Sequence, residues 1–142
     1  MDELTDRINA LKRTPLLAGL PHSELEQMAK KLKVEGFDSG AELIKEGTSG
    51  NSAFFIVAGT CDVRRKGARL STLGPGDFFG ELSIIDPAPR TATVTAAEPV
   101  VVMQLDGYDF ETALKQNKSM ALQLVKTLAS RLRDVVDEFS PR

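Results

Sequence analysis

Residues 34–105 are written as a series of short β-type runs, with nothing between them that reads as a crossover helix. The runs are 34–37, 42–45, 53–57, 61–65, 69–73, 91–95 and 100–105. Turn signals separate them: Ser39-Gly40, residues 47–51, Ala58-Gly59, Lys66-Gly67, Gly74-Pro75-Gly76 and Glu98-Pro99. Parallel strands need a long crossover, usually a helix, so a doubly wound parallel sheet is not expected. Short strands at this spacing predict an antiparallel sandwich or barrel.

One stretch departs from this texture. Residues 79–94 read FGELSIIDPAPRTATV. Gly80 and Glu81 open it, apolar Leu82, Ile84 and Ile85 follow, and then comes Asp86-Pro87-Ala88-Pro89. Each proline lacks an N–H and restricts the residue before it, so this tetrapeptide cannot all be helix. Arg90 precedes the β-type run Thr91, Ala92, Thr93, Val94. The stretch predicts a short helix with a bare N-terminus, closed by prolines and followed by a strand. A helix start carries unpaired N–H groups and the positive dipole end, which attract a phosphate. Gly80 has no side chain, so a ligand can approach the backbone. Arg90 offers an always-charged fork that matches phosphate oxygens. Ionised Glu81 only accepts hydrogen bonds and suits a sugar hydroxyl, as an acidic residue takes the ribose 2′-OH in dinucleotide folds.

The order F-G-E-L, a few residues, then P-R-T-A-T-V resembles the phosphate-binding cassette of cyclic nucleotide-binding domains. This is the family of catabolite activators and protein kinase A regulatory subunits. The resemblance covers nearly the whole chain. It implies a mainly β fold with flanking helices, α+β in class. The expected core is an antiparallel β-roll or jelly-roll barrel, with N-terminal helices, a short cassette helix and two C-terminal helices. It further implies one stand-alone domain over 1–142: a helical lead-in at 1–33, the roll at 34–105 with the cassette at 79–94, and C-terminal helices at 106–139.

By this resemblance Gly80, Glu81, Leu82 and Ser83 line the phosphate cradle at the helix start. Glu81 accepts from the ribose 2′-OH, Arg90 pairs with the cyclic phosphate, and Ala92 donates its backbone N–H. Val63, Leu70 and Phe79 match the family's base and sugar contacts, and Leu124 and Leu128 on the last helix are candidates to cap the base. Ser83 stands where many members have alanine. Thr91 stands where members that accept cyclic GMP often carry threonine, although others with serine or threonine bind cyclic AMP well. It permits cyclic GMP without selecting it. The implied function is a non-catalytic regulatory module for cyclic AMP, cyclic GMP or both, which repositions its C-terminal helix when the ligand binds. Against it stands a degenerate domain that acts only in assembly, with Arg90 and Glu81 as a structural ion pair.

The flanks read as helices. Leu4, Ile8 and Leu11 fall at helical spacing, and Pro15 ends that helix near Thr14. Ser23 with Glu26 three residues on predicts a capping box, ahead of an apolar face of Leu25, Met28, Ala29 and Leu32. Asp106 is a good N-cap for a helix carrying Phe110, Ala113 and Leu114, which Asn117 breaks. In the longer helix from about 118 to 138, Ala121, Val125, Leu128, Leu132, Val135 and Phe139 form an a/d-type seam of under three heptads. That seam suits either a homodimer or packing on the chain's own barrel, with Met120 and Leu124 as a second apolar edge.

Composition removes several classes. A formal net charge of −2 leaves no nucleic-acid footprint, and the short basic clusters around Lys30-Lys31 and Arg64-Arg65-Lys66 read as solvated faces. A transcription regulator of the activator type adds a helix-turn-helix after the long helix. Here Arg142 follows soon after Phe139, so direct DNA binding is not expected. One cysteine, Cys61, excludes an intrachain disulfide and suits a reducing compartment, as a buried small hydrophobe. The acidic start MDELTDRINA is unlike a signal peptide. The longest apolar run, near residues 100–103, is far short of the roughly 20 that span a bilayer, so a cytoplasmic protein is expected. A metal-dependent cupin needs clustered histidines, whereas His22 is alone and precedes a helix cap. No cofactor or metal is expected. The expected partners are the cyclic nucleotide, a second copy of the chain or an effector protein.

Overall fold

The computed structural model describes residues 3–139. Helices α1 (Leu4–Lys12) and α2 (His22–Lys31) lead into strands β1 (Lys33–Phe37), β2 (Glu42–Ile44), β3 (Ser52–Ala58), β4 (Cys61–Arg65), β5 (Ala68–Leu73) and β6 (Phe78–Phe79). Helix α3 (Leu82–Ile85) precedes β7 (Thr93–Ala96) and β8 (Val100–Asp106), and α4 (Gly107–Gln116) and α5 (Lys118–Phe139) close the chain. Two four-stranded sheets result, in the orders β1-β8-β3-β6 and β2-β7-β4-β5, with antiparallel pairing throughout. The mainly β architecture with flanking helices is as the sequence predicts.

The sheets read differently in sequence because they are buried differently. Along β3, Ala53 and Phe55 join a cluster with the helices, whereas Phe54 and Ile56 point between the sheets. Along β8, Met103 and Leu105 face the helices and Val100 and Val102 the interior. A strand covered on both sides needs no polar face, so 53–57 and 100–105 are continuous apolar runs. Strand β7 has only Val94 and Ala96 buried, alternating with threonines, as befits a sheet wetted on one side. Fully burying a side chain such as Phe55 or Leu105 contributes on the order of 1.5–3 kcal/mol. Cys61 is inside the barrel, where burial first and Asp62 second push its thiol up to about 11.

Some local expectations shift. The Ser23–Glu26 capping box does not form: α2 begins two residues earlier, with Pro21 as the N-cap and its carbonyl accepting from Glu24 and Leu25. Proline at that place already holds the extended φ and ψ of a cap, so Ser23 becomes part of the helix. At the other end of α2, Arg7 donates to the Ala29 and Leu32 carbonyls at 3.2 and 3.1 Å. Asp106 caps α4 as predicted, accepting from the Tyr108 N–H at 2.7 Å. The seventh strand starts at Thr93 rather than Thr91, because Thr91 lies in the bend that leaves Arg90. The two-residue β6 carries no alternation and was not anticipated.

Helix α5 is turned from its expected orientation. Met120 and Leu124 face the helical core, and Leu128 packs against them. Val125 and Leu132 of the predicted seam are 61% and 63% exposed, so that seam divides between core and solvent. The side chain of Phe139, its last member, lies outside the described residues. Among the described residues no helix is long and apolar enough to cross a membrane.

Candidate functional site

A cavity of about 660 Å³ lies between α5, the cassette and the β4–β5 hairpin. Sites for small ligands run to roughly 300–1,000 Å³, so this volume is ample for a nucleotide-sized molecule. Its floor is Phe79, whose ring stacks on Phe54 with centroids 5.0 Å apart and planes 7° from parallel. Above that floor the chain turns at Gly80. Its φ of +88° is reserved in practice for glycine, and a Cβ there would crowd the Ser52 carbonyl at 2.7 Å. Helix α3 starts just beyond, with Glu81 as its N-cap residue. The first amides of a helix have no partner inside it, so Leu82 and Ser83 bring free donors to the cavity wall.

Arg90 is buried, with 6% of its surface exposed. Its Nη1 donates to the Gly80 carbonyl at 2.7 Å and its Nη2 to the Ser52 carbonyl at 3.3 Å. Neither acceptor carries a full negative charge, so the guanidinium is fixed in direction but not neutralised by them. Burial pulls its pKa below the ordinary arginine value, and the nearby Glu81 carboxylate opposes that shift. Arginine still remains charged at any physiological pH.

Glu81 is 2% exposed, and its ion pair is not with Arg90. Arg131 on α5 donates from Nη1 to Glu81 Oε1 at 3.1 Å and from Nη2 to the Phe78 carbonyl at 2.6 Å. The guanidinium also lies 4.6 Å from the centre of the Phe78 ring, a cation–π arrangement. Burial raises the Glu81 pKa, while Arg131, a backbone hydrogen bond and Arg90 act in the opposite direction.

The structure brings together every barrel and cassette residue singled out in the sequence. Val63, Leu70, Phe79, Gly80, Glu81, Leu82, Ser83, Arg90, Thr91 and Ala92 all line this cavity. Leu124 and Leu128 are not among its lining residues. They lie on the neighbouring face of the same helical turns, in or against the cluster with Leu11, Leu25 and Phe110. The helix instead turns polar groups to the cavity, among them Gln123, Thr127, Arg131 and Asp134. Sequence reasoning missed Arg131 because an arginine among Asp, Ser and Lys reads as a solvated face. A signal existed, since Met120, Leu124, Thr127 and Arg131 are spaced 4, 3 and 4 along the sequence. One inward stripe therefore runs from the apolar core to the cavity and carries a charge into it.

Comparison with known proteins agrees with this arrangement. A family model described as "Cyclic nucleotide-binding domain" matches residues 34–117, more than half of the chain. A CRP-like cAMP-activated global transcriptional regulator of Mycobacterium tuberculosis is 30% identical over 138 residues, which are 94% of this chain and 59% of the regulator. The regulatory subunit of a cAMP-dependent protein kinase from Debaryomyces hansenii is 35% identical over 105 residues, 73% of this chain and 23% of that protein. The chain thus spans less than two thirds of either relative. Among solved structures, cAMP-bound PfPKA-R superposes with a TM-score of 0.85 at 23% identity, covering 99% of this chain and 50% of that one, a likeness of fold. With the cassette assembled around Arg90 and the family's model matched across the barrel, this chain belongs to the cyclic nucleotide-binding domain family.

Proposed function

We propose that the chain binds a cyclic nucleotide, cAMP or cGMP, in the cavity beneath α5, and that it senses this ligand without transforming it. The observation that carries the reading is Arg90: a buried guanidinium with its direction fixed by two carbonyls and, among the described residues, no carboxylate hydrogen-bonded to it. An arginine has five N–H donors. The two carbonyls leave donors for a phosphate, and the amides of Leu82, Ser83 and Ala92 border the same space. Val63 and Leu70 offer the base an apolar wall, and Thr91 offers a hydroxyl that tolerates guanine. Charged hydrogen bonds contribute on the order of 1.5–3 kcal/mol each, and micromolar affinity needs about 8 kcal/mol. Arg90, the cassette amides, a ribose contact and base burial suffice together. Titration calorimetry with cAMP, cGMP and non-cyclic AMP tests the reading. Heat is expected from one or both cyclic forms, and its absence from both would leave an assembly role.

The response to the ligand lies in the Glu81–Arg131 contact. A ribose hydroxyl that donates to Glu81 competes with Arg131 for the same carboxylate, so binding alters what ties α5 to the cassette. A ligand shifts a helix position only by its differential affinity for two positions. Amide chemical shifts along α5, recorded with and without nucleotide, are expected to move from Gln123 onward; unchanged shifts sink the coupling. The reading extends to a homodimer along α5 in a cytoplasmic setting. Leu122, Val125 and Leu132 are 55%, 61% and 63% exposed and are spaced 3 and 7 along the helix. Sedimentation of the protein beside Leu132→Glu is expected to show a dimer that the variant loses.

A further inference from the structure

The geometry points to Gly50 as a positioning residue for Arg90, the space above its Cα being what lets the guanidinium lie where a phosphate can use it. This rests on the reading of Arg90 as the phosphate's partner. The loop between β2 and β3 grips Arg90 at both ends. The Gly47 N–H donates to the Arg90 carbonyl and the Arg90 N–H donates to the Thr48 carbonyl, each at 2.8 Å. Two residues further on, the chain passes over the side chain at Gly50, and Ser52 then accepts from Nη2. A Cβ built on Gly50 would fall against Nε and Nη2 of Arg90 and lie 2.5 Å from Cζ. On the opposite side, a Cβ on Gly80 would lie 3.0 Å from Nη1. The fork is therefore held between two glycines from segments distant in the sequence.

The two glycines differ in kind. Gly80 needs its positive φ, whereas Gly50 is not among the positive-φ residues. Alanine at position 50 meets no backbone strain of that sort, and the three nearest atoms it would meet all belong to Arg90. What yields is the far end of a long, flexible side chain. It also has somewhere to go: Arg90 borders the large cavity under α5, which Gly50 does not line. Gly50→Ala is thus a change that spares the fold and turns the fork. A planar guanidinium binds a phosphate through paired N–H groups, so its orientation matters as much as its charge.

The test is calorimetry with cAMP on four forms of this chain: parent, Gly50→Ala, Arg90→Lys and the double variant. Gly50→Ala is expected to weaken binding by about tenfold or more. In the Arg90→Lys background, which lacks a planar fork opposite position 50, the same change is expected to cost less than about twofold, a coupling that only contacting residues show. Thermal melting is expected to stay close to the parent's. If Gly50→Ala unfolds but the double variant folds, the steric pairing stands; if both unfold, position 50 serves the fold and the inference is overturned. Parent-like affinity in Gly50→Ala overturns it, as does an undiminished loss in the Arg90→Lys background. The Arg90 Nε–H resonance of ligand-free protein gives a readout independent of nucleotide. It is expected to shift or broaden in Gly50→Ala, and an unchanged signal overturns the positioning role. A parent chain that binds no nucleotide while the resonance moves removes the sensor reading and leaves the Gly50–Arg90 relation intact.

Discussion

The two buried charges at the cavity are held in opposite ways. Arg90 is fixed by the barrel itself, through the carbonyls of Gly80 and Ser52 and the loop at 47–51. Glu81 is held by one side chain, Arg131, which reaches across from the last helix and is itself one third exposed. The anion side is preorganised and the sugar side is contingent. Preorganised donors bind without paying for rearrangement, which suits the task of holding a ligand. A contact shared between the cassette and a separate helix suits the task of reporting it.

Three substitutions test that contrast. The largest effect is expected from Arg90→Leu, which leaves a bound phosphate without its buried partner. Such losses typically cost about 3–5 kcal/mol, so calorimetric heat with either nucleotide should vanish in the micromolar range. Retained binding would mean that the barrel side does not carry the affinity.

Glu81→Gln comes second and should act in two directions. Loss of a charged acceptor for the ribose is expected to weaken binding by about 1.5–3 kcal/mol. Stability without ligand should not fall. Burial raises the folded pKa of Glu81 above its ordinary 4.5, so the stability linked to this group is fully present below pH 4.5 and is lost as pH rises through the folded value. The ionised carboxyl at pH 7 carries that burial cost, and Gln removes it. Melting of the two chains between pH 4.5 and 7 should show the variant gaining on its parent as pH rises. A variant that loses ground would show that Arg131 more than compensates the carboxylate.

The smallest effect on affinity is expected from Arg131→Ala. Arg131 is one third exposed and reaches the sugar side only through Glu81, so its loss leaves the Arg90 and cassette contacts in place. Its signature is a loss of communication: the nucleotide should still bind, while chemical shifts along α5 stop responding. A large loss of affinity would place Arg131 among the groups that hold the ligand.

The division between legible and illegible residues follows the same line. The strands announced themselves through period-two burial or continuous apolar runs between turns, and the cassette through prolines that forbid regular structure. Those signals are local. The orientation of α5 is not, because its apolar residues form two interleaved rows. Ala121, Val125, Leu128, Leu132 and Val135 make one, and Met120 and Leu124 begin the other. Which row turns inward depends on what the barrel and α4 offer it, and the structure chooses Met120 and Leu124. The placement of Leu124 and Leu128 at the core and of Arg131 at the cavity descends from that one rotation. The setting of Gly50 was hidden for a related reason. Its neighbours in sequence look like any turn, and the group it accommodates lies on another segment.

Helix α3 has four residues, fewer than a helix needs to stand alone in water, and Leu82 and Ile85 are 44% and 47% exposed. Its anchoring comes from Ile84, buried in the core cluster, and from the flanking Gly80 and Arg90, which are tied to each other by the Arg90 guanidinium. The amide protons of this short coil should therefore exchange with deuterated solvent well before those of β3 or β8. An occupying ligand would announce itself there first, as slowed exchange in a handful of peptides, with no label or reporter attached.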